Sequence, residues 1–370
     1  MRGRVRAGPG LACLALVTDA FGGTGGIAQY NRDFLAVLAA SPRFAALAVA
    51  PRHAGEPVET PERITQTRPR GGRLRYVLRV AGAALRQRPD IVFCGHLHLA
   101  PLAAAVARLA RARLILQTHG IEVWPAPSRW RRRAAEAADL VLSVSRHTRA
   151  AVLAWADIAP ERAVVVPNTV GDGFAPGDGS ALRKAWGLAG KRVLLTVGRL
   201  DARERYKGQD RVIEAIPELV ARGHDIAYVV IGDGDDRSRL IETAARFGVA
   251  GRVRFVGYAS REKLVEAYRM ADLFVMPSEG EGFGIAFLEA MACGTPALGL
   301  AAGGARDALG DGELGTALGR DDDLAAAIDR LLTGPRPDPD ALAGGVRARF
   351  GREAFASRVL LAVERVCCPA

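Results

Sequence analysis

The sequence predicts an α/β protein of two domains, each a parallel sheet covered by helices. Short apolar runs alternate with helical patterns from one end of the chain to the other, which is typical of such sheets. The chain has 370 residues, 49% of them apolar, and one hydrophobic core seldom organises that many. The Gly-, Pro- and Asp-rich stretch from Asn168 to Gly179 interrupts the alternation and indicates a linker.

The first domain, predicted over residues 1–170, contains six apolar runs that are typical of strands. Helical patterns fall between them, around Tyr30–Ala40, Leu74–Gln87 and Leu102–Arg111. The basic start and short apolar run of the chain imitate a signal peptide, but the Gly-rich turn that follows favours a buried first strand. The six predicted strands lie near Leu11–Thr18, Ala45–Ala50, Ile91–Cys94, Leu114–Thr118, Leu140–Val144 and Ala163–Val166.

The second domain, predicted over residues 171–350, repeats the alternation. Helices are expected at Asp210–Arg222 and Arg261–Ala271, and an exposed loop at Gly334–Asp340. A final helix is predicted in residues 351–370, and it could pack back on the first domain. Two doubly wound, Rossmann-like domains facing each other across a cleft would bind ligand at the carboxyl ends of their strands. The predicted strands lie near Arg192–Val197, Ala227–Ile231, Arg252–Val256, Leu273–Met276 and Pro296–Leu300.

Charge is distributed unevenly along the chain. Residues 1–170 contain 24 arginines, no lysine and 11 acidic residues, whereas the remainder contains 27 basic and 29 acidic residues. An Arg-rich first domain favours anionic partners such as lipid headgroups or a phosphorylated acceptor. The five scattered cysteines show neither zinc-site nor disulfide spacing, so we expect a cytoplasmic protein, with association at the inner face of the cell membrane as a further option.

The most informative segment runs from Pro277 to Gly294. A Gly-rich, acidic turn follows an apolar strand pattern and precedes a helical pattern, which places backbone N–H groups where an anion is favoured. Glu281 and Glu289 frame that turn, and carboxylates accept hydrogen bonds from vicinal hydroxyls. The segment therefore suits a ligand that carries both phosphate and sugar.

Residues 192–300, and more loosely the whole chain, resemble the retaining glycosyltransferases of family 4. The resemblance rests on Val197-Gly198-Arg199-Leu200 with Lys207-Gly208, on Phe255-Val256-Gly257-Tyr258, and on the Glu-x7-Glu signature from Glu281 to Glu289. It implies the GT-B fold and a nucleotide-diphosphate sugar donor, based on UDP or GDP. Ala286 and the longer loop before Lys207 depart from the commoner family pattern.

The resemblance also implies roles for individual residues. Arg199 and Lys207 would neutralise the departing diphosphate, a task that suits an Arg fork and a Lys point charge. Glu281 would contact hydroxyls of the donor sugar and Glu289 those of the ribose, and the diphosphate itself would help deprotonate the acceptor. The remaining donor-binding residues would be Gly25, Gly26, Gly198, Val256, Tyr258, Phe283 and Gly284.

A glycosidase is an alternative reading of the two glutamates. If the segment were helical throughout, eight residues would separate Glu281 and Glu289 by about 12 Å along the axis. Paired glycosidase carboxyl groups lie about 5–9.5 Å apart, so hydrolysis is disfavoured, although side-chain reach leaves it open.

The main alternative is an NADP-dependent oxidoreductase. The turn from Phe21 to Tyr30 follows the first strand, and Gly23-x-Gly25-x-x-Ala28 fits a dinucleotide-binding fingerprint. Arg52 follows the second predicted strand, where a basic residue that binds the 2′-phosphate of NADP would be expected. This hypothesis leaves Arg199, Lys207 and the two glutamates unexplained, so glycosyl transfer is preferred.

His119 ends a predicted strand, and in the resembling family a similarly placed His lies near the donor sugar, so we assign it a catalytic role. His96 and His98 occupy a similar position, but the three lack ligand spacing and a carboxylate partner for a metal site. Asp233-Gly234-Asp235-Asp236 is interpreted as a turn after a strand. No metal or other cofactor is expected.

Four arginines beside Trp124 and Trp130 form the densest basic and aromatic cluster. On a helix they would either rest at a membrane interface, bind a lipid diphosphate, or form a solvated face. Nucleic-acid binding is not expected, because no recognised RNA- or DNA-binding motif is present. The arginines are Arg129, Arg131, Arg132 and Arg133.

The sequence thus predicts a retaining hexosyltransferase. The second domain would bind the nucleotide sugar, and the first would bind a lipid-linked or envelope polysaccharide acceptor. Domain closure would exclude water and limit hydrolysis of the donor.

Overall fold

A computed structural model describes residues 10–53, 58–68 and 71–367. The chain divides into two compact units. The first unit contains the residues up to Asn168 together with those from Phe355 onward, and the second runs from Thr169 to Ala354. Each unit is a parallel sheet covered by helices, which confirms the predicted α/β class with two Rossmann-like domains.

The sheet of the first unit has seven parallel strands in the order β3-β2-β1-β4-β5-β6-β7. The order reverses between β1 and β4, the switch point at which doubly wound sheets bind ligands. The strands are β1 Leu11–Val17, β2 Phe44–Pro51, β3 Ile64–Gln66, β4 Ile91–Cys94, β5 Arg113–Thr118, β6 Leu140–Ser143 and β7 Ala163–Val165.

Among the described residues, five helices of the first unit lie between its strands. Helices α2 to α5 bury small and branched apolar residues in one core with β1, β4, β5 and β6. Phe34 of α1 stacks on Phe93 of β4 with ring centroids 4.2 Å apart. The helices are α1 Gly26–Ala40, α2 Arg73–Gln87, α3 Ala100–Ala110, α4 Arg129–Glu136 and α5 Arg146–Trp155.

The sheet of the second unit has six parallel strands in the order β10-β9-β8-β11-β12-β13. Its switch point lies between β8 and β11. The strands are β8 Arg192–Val197, β9 Ile226–Ile231, β10 Val253–Gly257, β11 Leu273–Met276, β12 Ala297–Leu300 and β13 Thr316–Leu318.

The second unit contains eight helices among its described residues, and the last helix of the chain, α14, begins at its end. From Phe355 onward α14 belongs to the first unit, where Phe355 packs edge-on against Tyr30 and Glu364 pairs with Arg43 at 2.6 Å. The helices are α6 Ser180–Ala185, α7 Gln209–Ala221, α8 Arg237–Arg246, α9 Arg261–Met270, α10 Ile285–Ala292, α11 Ala305–Ala308, α12 Leu324–Thr333, α13 Pro339–Phe350 and α14 Arg352–Cys367.

Several elements were not predicted. Strands β3 and β13 have three residues each, Ile-Thr-Gln and Thr-Ala-Leu, and neither is a continuous apolar run like the equally short β7. The predicted loop Gly334–Asp340 was partly wrong, because helix α13 starts inside it at Pro339. Asp338 caps that helix by accepting from the Ala341 N–H at 2.7 Å, and proline is favoured at the first helical position.

In the described part of the chain, no helix is both long and apolar enough to cross a bilayer.

Candidate functional site

Two loops at the carboxyl edge of the second sheet are held together. They follow β8 and β11, which are paired neighbours. The Glu279 N–H donates to the Tyr206 carbonyl at 2.8 Å. Gly208 has a φ of +76°, and a Cβ there would stand 2.7 Å from the Pro277 carbonyl oxygen. The backbone around Lys207 is therefore fixed against the loop that carries Glu281.

A carboxylate links the two predicted phosphate-binding cations. Glu204 lies in the 3-10 turn between them, with its side chain 9% exposed. It contacts the Arg199 guanidinium with one oxygen, and its other oxygen lies 3.0 Å from the Lys207 Nζ. The Arg199 side chain is 72% exposed and that of Lys207 15%. Glu204 thus holds the two cations close to each other, and most of the Arg199 side chain remains accessible to a ligand.

Glu204 was missed in the sequence. The available signal was an acid flanked by two arginines, three residues before Lys207. The side chain of its neighbour Arg205 is half exposed and donates to Asp236 at 2.8 Å.

Glu281 lies in the loop before α10, close to this charge cluster. Burial raises the pKa of its carboxyl group, while the positive charge of Lys207 and a hydrogen bond from Ser278 act in the opposite direction. Its Oε1 is buried and has no hydrogen-bond partner among the described residues. Buried polar atoms are normally hydrogen-bonded, so this oxygen is suited to a donor from a ligand.

The segment from Glu281 to Glu289 is not helical throughout, so the condition stated for the glycosidase comparison is not met. Helix α10 begins at Ile285, after Gly284 with a φ of +99°, so Glu281 belongs to the preceding loop. The estimate of about 12 Å along a helix axis therefore does not apply. The loop conformation comes from tertiary contacts, because the Gly304 N–H donates to the Glu281 carbonyl at 2.7 Å.

The start of α10 presents backbone donors. Among the described residues, no acceptor is found for the N–H groups of Phe283, Gly284, Ile285 and Ala286. The Phe283 side chain is buried and packs edge-on against Phe350. A helix start of this kind favours an anion.

Glu289 has its partner in α9. Its Oε2 accepts a hydrogen bond from the Tyr268 hydroxyl at 2.8 Å. Burial raises the pKa of Glu289 to about 7, although the Tyr268 hydrogen bond and the charge of Arg261 favour ionisation. Glu289 therefore changes charge near neutral pH.

The other predicted residues of the second unit lie along the same edge of the sheet. Gly198 follows β8, and a Cβ there would stand 3.6 Å from the Lys207 Nζ. Val256 and Gly257 end β10, which is two strands away from β8. Tyr258 follows them with 83% of its surface exposed. The aromatic ring is thus available to a ligand.

In the first unit, Gly25 and Gly26 form the turn between β1 and α1. Gly25 has a φ of +86°, and a Cβ built on it would meet no atom within 4 Å. Arg32 donates to the carbonyls of Ala20 and Gly23, at 2.9 and 2.6 Å, and so holds the turn. A ligand could approach this backbone closely.

His119 follows β5 directly. Its Nε2 lies 2.9 Å from the Gly95 carbonyl, and its backbone N–H donates to Glu122. Tyr30 packs edge-on against the ring. Burial lowers the pKa of His119 and lowers that of the neighbouring His96 to about 4, so both imidazoles are neutral at pH 7.

The acidic turn after β9 has structural partners. Asp236 is buried and binds Arg239 and Arg205, while Asp235 accepts from the Ala202 N–H at 2.8 Å. In the described ranges, no group of three His, Cys, Asp or Glu side chains is arranged to hold a metal ion. A metal-free reaction remains a prediction.

Two family models match the chain. Residues 180–354 match the one described as glycosyl transferases group 1, and residues 24–172 match Glycosyltransferase Family 4. The second match includes residues 24–30 of the Gly-rich turn on which the oxidoreductase alternative depends. Arg52, the other residue of that alternative, stacks over the Tyr76 ring at 5.8 Å. The oxidoreductase alternative therefore has no support.

Solved structures share the fold along nearly the whole chain. The Anabaena HepE protein in complex with UDP and glucose gives a TM-score of 0.77 at 22% identity, covering 96% of this chain and 99% of that one. Sucrose-phosphate synthase from Thermosynechococcus elongatus gives 0.75 at 22% identity, covering 96% and 98%. These likenesses support the predicted GT-B fold.

Curated relatives are closer in sequence. A GDP-mannose-dependent alpha-(1-6)-phosphatidylinositol monomannoside mannosyltransferase from Mycolicibacterium smegmatis is 36% identical over 266 residues, 68% of this chain and 68% of the relative. A D-inositol 3-phosphate glycosyltransferase from Geodermatophilus obscurus is 40% identical over 205 residues, 52% of this chain and 44% of the relative. The chain belongs to glycosyltransferase family 4 and is a transferase that uses a nucleotide sugar.

Proposed function

We propose that the enzyme moves a hexose from a nucleotide-diphosphate sugar to a hydroxyl of a lipid-linked or envelope polysaccharide acceptor, with retention of anomeric configuration and without a metal. One observation carries this proposal: Arg199 and Lys207 are tied together by Glu204 beside Glu281, at the ends of β8 and β11.

The chemistry of that cluster fits the departure of a diphosphate. Negative charge grows on the leaving group as the sugar bond breaks, and the two cations with the N–H groups before α10 are placed to stabilise it. Oε1 of Glu281 would accept from a hydroxyl of the donor sugar and thereby gain the hydrogen bond that it lacks. Glu289 would bind the ribose hydroxyls. The leaving diphosphate would assist deprotonation of the acceptor, so no protein nucleophile is assigned.

The roles of Gly25, Gly26 and His119 are part of the same proposal. The open backbone of the turn would lie beside the donor phosphates or the acceptor, and a neutral His119 would serve as a hydrogen-bonding group near the donor sugar. Tyr258, Val256 and Gly198 would complete the donor site.

The names of the two relatives suggest which substrates to test first. One is described as GDP-mannose-dependent, and both names include an inositol-containing acceptor. We therefore propose GDP-mannose and a phosphoinositol acceptor as the first pair.

The proposal is tested by incubating the full chain with GDP-mannose or UDP-glucose and inositol phosphate or phosphatidylinositol. Nuclear magnetic resonance of the product gives its anomeric configuration, and a parallel reaction with a chelator tests for a metal. We expect an α-linked product at an undiminished rate. An inverted product, or activity lost to the chelator and restored by a divalent cation, would contradict the corresponding part of the proposal.

Donor binding should depend on pH through Glu289. Ribose hydroxyls donate to the carboxylate, so binding favours its ionised form and lowers its pKa from about 7. The affinity for an intact nucleotide sugar is therefore expected to rise as the pH rises through 7, by about tenfold between pH 6 and 8. Calorimetric titration at several pH values measures this change.

Glu289→Gln is the control, because glutamine removes the titrating group and keeps a hydrogen-bond acceptor. Its affinity should be low and independent of pH. An unchanged pH dependence in this variant would assign the effect to another group.

Peripheral membrane association is also proposed, through the outer face of α2. Helix α2 contains four arginines and no acidic residue, and its exposed Leu74, Leu78 and Leu85 follow helical spacing with 71%, 63% and 59% of their surfaces exposed. Such a face suits an anionic lipid surface.

The full chain should sediment with vesicles that contain phosphatidylglycerol at low salt, and high salt should release it. Leu74→Ser with Leu78→Ser should reduce binding severalfold, because the inserted apolar surface is lost. Leu361→Ser, which changes a leucine of similar exposure on α14, is the matched control. If the double variant of α2 binds the vesicles as well as the Leu361→Ser control does, α2 is not the part of the chain that contacts the membrane.

A further inference from the structure

A groove lies between α3 and α4 in the first unit, outside the candidate site. Its volume is about 600 Å³, within the range of ligand pockets of about 300–1,000 Å³. It reaches the beginning of β5, whereas His119 follows the end of that strand. Six residues of strand separate Arg113 from His119, a distance of about 20 Å. The apolar lining includes Ala104, Ala105, Leu114, Trp130, Ala134 and Ala137.

The groove arises from the composition of the two helices. Helix α3 has alanine at most of its positions, and alanines of α4 face the same space. Small side chains leave room that larger ones would fill. Trp130, at the start of α4, is 59% exposed and forms part of the wall. The result is an apolar concavity of the kind that takes up an apolar ligand.

Arginines surround the apolar lining. Arg108 and Arg111 contribute from α3 and its end, and Arg133 from α4. Arg113 also lines the groove and pairs with Asp139 at 2.9 Å, but its buried Nε–H has no hydrogen-bond partner among the described residues. Positive charge and an unused donor beside an apolar wall favour a ligand with an anionic head.

We propose that this groove binds a single-chain anionic amphiphile, specifically a long-chain fatty acid anion. The alkyl chain would lie along the alanines, Leu114 and Trp130, where it removes apolar surface from water. The carboxylate would accept hydrogen bonds from the arginines, and charge-assisted hydrogen bonds of this kind are the stronger ones. The concave shape holds one chain, in contrast to the convex outer face of α2.

The test is calorimetric titration of the full chain with dodecanoate below its critical micelle concentration, without sugar donor or acceptor. We expect saturable binding of one dodecanoate per chain and a raised melting temperature, because the ligand binds the native state. Since no sugar substrate is present, the result is independent of the proposed transfer activity.

Two variants and a matched control locate the site. Ala105→Trp should fill the groove from an exposed position of α3 and reduce affinity by at least tenfold, with the fold checked by circular dichroism. Arg133→Gln should weaken binding severalfold. Arg132→Gln is the control, because Arg132 neighbours Arg133 but pairs with Glu136 at 2.8 Å and does not line the groove.

Three results would overturn the proposal, and a fourth would overturn the role given to the arginines. Absence of saturable binding would exclude the ligand class. Equal affinity of the wild type and Ala105→Trp would place the ligand elsewhere. Binding of the chain to anionic vesicles but not to monomeric dodecanoate would assign this face to a membrane surface instead. If dodecanol binds as tightly as dodecanoate, the arginines do not contribute to the affinity.

Discussion

Replacement of Lys207 with alanine is expected to lower kcat for glycosyl transfer by about 10²–10³-fold, the loss typical of removing one charge-stabilising donor. The Lys207 side chain is 15% exposed and its ammonium group lies 3.0 Å from Glu204, so the charge acts from a fixed position. In the alanine variant, water molecules would have to reorient around the leaving group as its negative charge grows. This reorientation costs free energy that the fixed ammonium group avoids. Steady-state kinetics with the donor identified by substrate screening measure the effect.

Lys191→Ala is the matched control for this change. Lys191 precedes β8, at the opposite end of the strand, and pairs with Asp225 at 2.9 Å on the surface. Exposed ion pairs contribute little, so transfer should be unaffected. A Lys207→Ala enzyme that is folded and transfers sugar at the wild-type rate would show that the diphosphate binds elsewhere.

Glu281→Gln is expected to reduce transfer by about 10²-fold while leaving the fold as stable as before or more stable. The carboxylate is partly buried, its pKa is raised by burial, and Oε1 lacks a partner. A buried unpaired acceptor costs about 1–3 kcal/mol, and a neutral amide lowers the cost of burial. In the proposed function, the unpaired oxygen lowers the stability of the free enzyme but is needed to bind a hydroxyl of the donor sugar.

Thermal unfolding and kinetics on the same preparation separate the two effects. Glu279→Gln is the matched control, since Glu279 lies in the same loop but has a side chain that is 44% exposed. Its carboxylate makes only a long ion pair, 3.8 Å from the Arg211 guanidinium. This substitution should change neither quantity. A Glu281→Gln enzyme with full activity, or one that loses stability and activity together, would argue against a sugar-binding role.

Much of the fold was predictable because its signals are local. Buried parallel strands are continuous apolar runs, as at Leu273–Met276, and their spacing indicates the helices between them. The short edge strands β3 and β13 contain polar residues and so lack the continuous apolar run that identifies the equally short β7. Pairing with β2 and β12 defines them, and that is a tertiary property.

The candidate site was predictable in its parts but not in its arrangement. The motifs around Arg199, Lys207 and Glu281 identify side-chain types, whereas the alignment of both cations by Glu204 depends on a 3-10 turn that has no periodic signal. Glu281 was predicted to lie in a turn before a helix, but the hydrogen bond from Gly304 that holds its carbonyl was not predictable from that segment. Long-range backbone contacts of this kind cannot be read from one segment.

The return of α14 to the first unit has a consequence for synthesis on the ribosome. The second unit is encoded without interruption and is complete when residue 354 has emerged. The first unit begins earlier but finishes later, because Phe355, Val359 and Val363 of α14 are buried in it. The first unit therefore stays incomplete during translation until the residues of α14 have left the ribosome.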